Sequence, residues 1–229
     1  MLKGIISAIF LAVVCTFLYG QQPSIATFLK GRAPVEVIPG MFTTYRSDKY
    51  IYWEIPDSLI EREFAVTTTI LAAPARPDRD MEKKFGYSGD MVGPVFFSFR
   101  KQGDELWMMD PQHERVIENP EGTYAKIAAQ RGNERLYKIL PVKARNQGSS
   151  LVEIGEVLKD FPLFTLGIVS FDLLIGTHLS EKDCIKEIKG YDNRLLIHAS
   201  RTYQSSSMGI PGKPVAPPYI GDWDTGICI

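Results

Sequence analysis

The sequence predicts an α+β fold made mainly of antiparallel β-sheet with a few short helices. Several short runs alternate apolar and polar side chains, which is the period of a strand with one buried face. Turn-forming pairs such as Ser47-Asp48 and Gly103-Asp104 separate neighbouring runs, as expected where strands meet through tight turns. The chain has 229 residues, of which 45% are hydrophobic and 23% charged, and this composition is typical of a globular protein.

The N-terminus is predicted to be an export signal that occupies residues 1–20. A short positive start at Lys3 precedes an apolar run from Ile5 to Leu18, which is too short for a comfortable membrane span. Cys15 would carry a lipid only after a small residue, and a valine stands there, so a lipoprotein is not expected. A lipid anchor and a retained membrane anchor are the alternatives. We expect cleavage after Gly20 and export to the periplasm, the cell surface or the medium, with no transmembrane span remaining.

The segment after the signal divides into a strap and a first β module. Residues 21–36 are polar and contain prolines, which predicts an N-terminal strap, and residues 37–75 predict an N-terminal β module. Gly40 to Leu71 predicts two short strands with a turn, a helical turn that begins at the Pro-Asp-Ser triplet, and a third strand. The residues expected to share one face in these strands are Ile51, Trp53 and Ile55, and then Phe64, Val66, Thr68 and Ile70.

Residues 76–204 predict a second β-rich module with short helices. The Pro- and Gly-containing stretch from Ala72 to Pro94 predicts a long loop or a hairpin insertion. Predicted strands are Val95–Lys101, Glu105–Asp110, Leu136–Val142, Leu151–Ile154 and Arg194–Tyr203, and predicted helices are Thr123–Gln130, Glu156–Phe161 and Glu181–Ile188. The last helix would begin after Ser180 as its N-cap. Residues 205–229 are rich in Pro, Gly and Ser and predict a linker-like tail.

Charge and cysteine content narrow the classes of function. The net charge is −1, which offers no basic excess for binding nucleic acid. Cys184 and Cys228 remain after removal of the signal, and two cysteines do not make a disulfide scaffold. The sequence leaves open whether these two pair.

Two short motifs resemble catalytic sites without meeting their requirements. His113-Glu114 begins a string like that of a zinc peptidase, but Ile117 stands where the second histidine must hold the metal. Asp224-Thr225-Gly226 resembles the aspartic protease triplet. That chemistry needs the aspartates of two such triplets, which share one proton. We interpret the first as a solvated loop and the second as a terminal turn, and we predict no catalytic, cofactor-binding or metal-binding residue.

An aromatic cluster on the first strands is the remaining candidate site. Its members are Tyr45, Tyr50, Tyr52 and Trp53. Exposed aromatic rings can stack on ligands such as sugars, whereas buried ones pack the core. The sequence favours ordinary strand packing and leaves the binding surface as an alternative.

Several separated segments resemble the N-terminal region of large secreted bacterial zinc-dependent metalloproteases, which consists of domains of unknown function. They occur in order between Val37 and Tyr219, and they are Gly40–Leu71, Gly86–Met109, Arg135–Phe164, Ser180–Tyr203 and the KPVAPPY string. In that family the HExxH zinc site lies downstream, in a separate peptidase domain. The resemblance therefore implies no catalytic residue and no zinc in this chain, with zinc expected only in a full-length relative.

The resemblance implies a non-catalytic prosegment or accessory module whose partner is the peptidase domain. The ending GDWDTGICI departs from the basic, aromatic sequence expected there, so we expect a truncated or partial protein. The apolar strand faces, such as Phe64/Val66/Ile70 and Val95/Phe97/Phe99, are expected to be incompletely covered by this chain and to pack on that domain. The alternative is that the short helices predicted from Glu156 and Ser180 cover the sheet completely. The alternatives are a free-standing binding module that uses the aromatic strands and a zinc enzyme in its own right, which the missing second histidine disfavours.

Overall fold

A computed structural model describes residues 22–32, 34–74, 87–111, 135–166, 176–204 and 220–229. Its strands are β1 Glu36–Ile38, β2 Thr43–Arg46, β3 Ile51–Pro56, β4 Glu63–Ala72, β5 Met91–Gln102, β6 Glu105–Asp110, β7 Arg135–Asn146, β8 Ser149–Glu153, β9 Thr177–His178, β10 Cys184–Tyr191, β11 Arg194–Gln204 and β12 Ile220–Cys228. Its α-helices are α1 Ile25–Lys30 and α2 Gly155–Asp160, and short 3-10 turns cover Asp57–Leu59, Pro162–Phe164 and Ser180–Lys182. No helix among these residues is long and apolar enough to cross a membrane.

The strands form one 12-stranded antiparallel sheet in the order β1-β2-β3-β8-β7-β6-β5-β4-β12-β11-β10, with β9 paired to β11 beside this path. The predicted antiparallel sheet is thereby confirmed. The two α-helices among the described residues have six residues each, so the term α+β overstates the helical part of the described structure. The fold is better described as mainly antiparallel β.

Strands from the two predicted β modules pair directly with each other. β3 of residues 37–75 pairs with β8 of residues 76–204, and β4 pairs with β5. The alternation in the sequence located β3, β4, β5, β6, β7, β8 and β11 within a few residues, although β5 begins at Met91 rather than Val95. The predicted signal peptide, the helix over 123–130 and the KPVAPPY string lie outside the described residues.

The sheet curls until its first and last strands approach each other. The Met41 amide, just before β2, donates to the Tyr191 carbonyl at the end of β10 over 2.7 Å. The curl encloses a core in which aromatic rings dominate, and neighbouring ring centroids among Phe42, Trp53, Phe64, Phe97 and Phe99 lie 5.0 to 6.0 Å apart. Full burial of one such side chain stabilises a fold by about 1.5–3 kcal/mol, so this layer is a main source of stability.

The predicted strap contains α1, which covers part of the outer face of the sheet. Ser24 caps the helix by accepting from the Thr27 amide, and Asn146 on β7 accepts from the Ile25 amide. Ile25 packs with Tyr52, Ala144 and Leu151 in a second apolar cluster. The sheet is therefore buried on both faces where α1 lies.

The helix predicted over Glu181–Ile188 is wrong, because this segment forms a short 3-10 turn followed by β10. Ile185 and Ile188 are both buried, and their separation of three residues is the spacing of one helix face. In the structure a bulge between Ile185 and Glu187 shifts the register against β11, so both isoleucines point inward from a strand.

The linker-like tail predicted from residue 205 is wrong for its last ten residues. Ile220–Cys228 form β12, which lies between β4 and β11 and pairs with both. Trp223, Thr225 and Ile227 are buried, which is the alternation of a strand with one inward face. The two acidic residues and two glycines in this segment concealed the pattern, because such residues are typical of turns.

The apolar strand faces expected to need a partner are covered within this chain. Phe64, Val66, Phe97 and Phe99 belong to the main core, and Ile70 is buried in a smaller cluster with Trp223 and Tyr203. Curling of the sheet brings these faces together, which the strand patterns could not reveal.

Candidate functional site

We call the line along which β1 and β10 approach each other the seam. The main candidate site is a cleft beside it. The cleft measures about 640 Å³ and is bordered by β1, the β2–β3 turn, the start of α2 and the start of β10. Its polar lining includes Glu36, Arg46, Asp48, Lys49, Lys159 and Cys184. Charges of both signs meet here, so the cleft suits a polar or zwitterionic surface better than a purely apolar ligand.

Arg46 bridges the seam at this cleft. Its Nη2 donates to the Ile185 carbonyl over 2.6 Å, and its Nη1 donates to the Lys186 carbonyl over 3.3 Å. These carbonyls lie on β10, the last strand of the sheet path. An edge strand exposes unpaired backbone groups that can recruit another chain, and the guanidinium occupies two of them.

A buried ionic network lies at the inner end of the cleft, and we call it the floor network. It consists of Arg201 on β11, Asp183 before β10 and His178 on β9. Arg201 Nη1 donates to Asp183 Oδ2 over 2.7 Å, and His178 Nε2 lies 2.9 Å from the same oxygen. The side chains of Arg201 and Asp183 are 0% exposed. Stacking on Tyr203, with ring centroids 4.8 Å apart, orients the His178 ring.

Arg201 also holds the end of α2. It donates to the carbonyls of Leu158, Lys159 and Phe164 over 2.6 to 3.0 Å. The last carbonyls of a helix lack intrahelical partners, and Pro162, four residues after Leu158, has no amide proton to offer. Arg201 therefore replaces bonds that the local sequence cannot make.

Asp183 is held ionised by its donors. Burial opposes its ionisation, but hydrogen bonds from His178, Arg201 and the Thr202 amide outweigh burial and keep the pKa of Asp183 below its usual range. Burial also raises the pKa of Tyr203 to about 12. The floor network is thus an enclosed ion pair whose hydrogen bonds connect β9, β10, β11 and α2.

The aromatic cluster divides between the two faces of β3, as its alternation predicted. Trp53 lies in the main core, whereas Tyr52 lies in the cluster under α1. Tyr45 donates to Glu54 over 2.6 Å, and burial together with this bond raises the pKa of Tyr45. Tyr50 is 40% exposed, borders the cleft and stacks on Tyr52. The cluster is mainly packing, and Tyr50 is the member that a ligand in the cleft could touch.

The Asp-Thr-Gly triplet lies inside β12, so its interpretation as a terminal turn is wrong. Asp224 faces outward and accepts from Lys186 Nζ over 2.6 Å, and His198 Nε2 lies 3.6 Å from its other oxygen. Burial opposes ionisation of Asp224, but Lys186 outweighs it and lowers the pKa of Asp224. The carboxylate is thus part of a polar patch on the outer face.

The other sequence candidates do not assemble into a reactive centre within the described part of the chain. His113 and Glu114 lie outside the described ranges. His178 and His198 sit in different clusters, and the described residues contain no group of three His, Cys, Asp or Glu that could hold a metal ion. Sequence reasoning missed Arg201 and Asp183, for which the one signal was an arginine on the inward face of the β11 alternation.

Cys184 and Cys228 are free thiols. They lie on β10 and β12 with β11 between them, which separates the strands by roughly 9–10 Å, more than a disulfide can span. Cys184 pairs with Ser200, whereas Cys228 pairs with Leu196, so they are also offset along the strands. The question that the sequence left open is thus answered for this fold.

A second cleft of about 570 Å³ lies near the other end of the seam. It is bordered by Met41, Leu59, Phe64, Arg194 and Ile229 among others. Ile229 continues the pairing of β12 by exchanging two backbone hydrogen bonds with Leu195. This cleft is more apolar in its lining than the first.

The segment that forms α1 and β1 to β4 matches a known family. Residues 22–73 match the model of a domain of unknown function (DUF5118). No curated protein matches the chain, and no solved structure matches it. The matched segment supplies one complete side of the seam, including Gly40, Met41 and Arg46. A DUF5118 domain, whose function is unknown, therefore occupies residues 22–73 of this protein.

Proposed function

We propose that this chain is a non-catalytic N-terminal prosegment or accessory module of an exported zinc-dependent metalloprotease. The proposal draws on the ordered resemblance between Val37 and Tyr219, which overlaps the DUF5118 match at residues 22–73. The module would be exported through its N-terminal signal and would act on the peptidase domain of a longer protein. The resemblance, and not the family match, supplies the link to a protease.

The observation that supports a scaffold function is that two arginines direct their hydrogen-bond donors to the backbone of this chain. Arg201 directs its donors to three backbone carbonyls and one enclosed carboxylate, and Arg46 directs two donors to edge carbonyls. A catalytic group must reach a substrate, whereas these groups are spent on holding strands and a helix in place. Such an arrangement suits a scaffold module better than an enzyme.

The outer face of β6 and β7 is the surface that we assign to the peptidase domain. Leu136 and Ile139 are each 41% exposed there, and Ile139 lies opposite Trp107 in the β6–β7 register. Exposed apolar side chains that sit beside an aromatic ring are typical of the centre of an interface. This replaces the inner strand faces as the expected contact, because those faces are buried in the core.

The test is to express the chain with and without the peptidase domain of a longer relative and to compare melting temperatures and association. We expect the two to associate and the module to melt at a higher temperature in the complex. Ile139→Glu should weaken association by at least tenfold, because it places a charge in the contact. Val37→Glu is the matched control, since Val37 is 56% exposed on β1 and away from this face. Equal melting alone and in the mixture, with no association, would contradict the proposal.

Two further measurements test the non-catalytic and exported parts of the proposal. The purified chain should bind no stoichiometric zinc and cleave no casein, and about one tightly held zinc per chain would contradict this. Mass spectrometry of the mature N-terminus should show cleavage after Gly20. A diacylglyceryl group on Cys15 would show that the signal is a lipoprotein signal.

A free-standing binding module is the second candidate, and the exposure of Tyr50 at the cleft favours it. An aromatic ring at the border of a polar cleft can stack on a sugar or on a planar ligand group. Tyr50→Ala should abolish any such binding while leaving the fold intact, since Tyr50 lies outside the core. This candidate takes precedence if the chain does not associate with a peptidase domain.

A further inference from the structure

The seam is built differently from every other join along the sheet path. The shortest ladder between neighbours, β1 with β2, has three residue pairs, and β11 with β12 has nine. Across the seam, the described residues share one backbone hydrogen bond, from Met41 to Tyr191. The curl is therefore closed by contacts that can separate without breaking a strand ladder.

Two glycines allow the backbones to meet at one point of the seam. A Cβ atom on Gly190 would lie 2.0 Å from the Pro39 carbonyl oxygen, and one on Gly40 would lie 2.7 Å from the Gly190 Cα. Any side chain here would keep the strands apart. Beyond this contact, toward the cleft, Arg46 supplies the remaining bonds through its side chain.

Arg46 makes a join that can be released at small cost. It is half-buried, and in the described part of the chain no carboxylate forms an ion pair with it. If the guanidinium leaves the carbonyls of β10, water can hydrogen-bond to the guanidinium and to the Ile185 carbonyl, because Arg46 and Ile185 border an open cleft. A buried arginine would not have this freedom.

We propose that the curled sheet opens along the seam as a gate, with Arg46 as its latch. Opening separates β1 and β2 from β10 and joins the cleft to the core. The side chains uncovered first are those on the inner surface next to the seam, Ile38 and Ile185. The gate concerns the fold of this chain alone and does not depend on the proposed association with a peptidase.

The test measures how often a buried thiol beside the seam becomes reactive. Ile185 is 4% exposed and Val142, on β7 across the sheet, is 5% exposed, so Ile185→Cys and Val142→Cys form a matched pair. Both are made in a chain whose natural cysteines are replaced by serine. With excess iodoacetamide, the Ile185→Cys thiol should react at least tenfold faster, because it needs only local opening of the seam.

The latch is tested by adding Arg46→Met, which keeps an apolar stem and removes the donors. Loss of charge-assisted hydrogen bonds to the backbone should raise the rate at Ile185→Cys on the order of tenfold and leave Val142→Cys unchanged. Arg46→Lys, which offers a single point charge, should give an intermediate rate. Arg135→Met is the control, because Arg135 on β7 is exposed and forms an ion pair with Asp110 on β6, away from the seam.

Hydrogen exchange on the unsubstituted chain gives an independent reading. The Met41 amide should exchange at least tenfold faster than the amides in the ladder between β5 and β6. Equal exchange at these sites, or equal thiol reactivity at Ile185→Cys and Val142→Cys, would overturn the gate. Equal acceleration of both thiols by Arg46→Met would overturn the role of Arg46 as a latch, because it would show general destabilisation.

Discussion

The floor network and the seam both use an arginine to hold backbone carbonyls, but they do so in opposite surroundings. Arg201 is 0% exposed and pairs with an enclosed carboxylate, whereas Arg46 is half-buried at the border of an open cleft. The first joins α2 to β11, and the second joins β2 to β10. One join lies beneath the cleft and the other at its border.

The difference shows that burial sets the free-energy cost of breaking such a contact. A charge that is buried without a partner is costly, so Arg201 depends on Asp183, and breaking this pair would leave a charge in the core. Arg46 keeps access to water and needs no partner, so its release costs only its hydrogen bonds. The same type of side chain thus has two roles: Arg201 is a permanent join, called the pin below, and Arg46 is a latch that can release.

The largest effect is expected from removing the pin. Arg201→Met should lower the free energy of unfolding by about 3–5 kcal/mol, because it strips Asp183 of its charge partner inside the fold. It also leaves the last carbonyls of α2 without donors. Chemical denaturation measures the change, with Arg135→Met as an exposed control expected within about 0.5 kcal/mol of the unsubstituted chain. An equal, small effect of both substitutions would erase the contrast between buried and exposed arginines.

An intermediate effect is expected at the close contact of the seam. Gly190→Ala should destabilise the fold by about 1–3 kcal/mol, because the new methyl group would collide with the Pro39 carbonyl and push β1 from β10. Gly31→Ala is the matched control, since no atom lies within 4 Å of a Cβ at Gly31. If both substitutions left the melting temperature unchanged, the seam would not be a close contact in solution.

The smallest effect is expected from lowering the pH. It concerns the floor network alone, because Arg201 depends on a carboxylate that acid can protonate, whereas Arg46 at the seam does not. The pKa of Asp183 is lowered in the folded state, so the stability that its ionisation contributes is present above about pH 4 and is lost as the pH falls further. Asp183→Asn should remove this component, so the unfolding free energy of the variant should fall less steeply below pH 4. Parallel acid curves for the two proteins would show that Asp183 is not held ionised by its donors.

Local alternation was enough to predict the strands whose inward face carries large apolar side chains. β3 and β11 are examples, because Ile51, Trp53 and Ile55, and then Leu195, Ile197 and Ala199, follow the strand period without interruption. β10 was mistaken for a helix because its bulge imitates a spacing of three. β12 was mistaken for a tail because its inward residues alternate with acidic residues and glycine.

The candidate site was less predictable than the strands. The position of Arg201 on the inward face of the β11 alternation was the one local sign of its burial, and nothing in the local pattern indicated Asp183, 18 residues earlier, as its partner. The seam depends on residues such as Gly40 and Gly190, which are distant in the sequence and have no side chain to reveal a pattern. Neither cluster has a spacing that local rules could detect.

By itself, the sequence determined a β-rich chain with most of its strands and their inward faces. These follow from local periodicity, because a strand with one buried face must alternate. The tertiary structure alone decided that the sheet curls, that β12 joins its interior and that Arg46 and Arg201 meet carbonyls of distant elements. Register, bulges and curl arise from contacts between residues far apart in the chain, and no local pattern encodes those contacts.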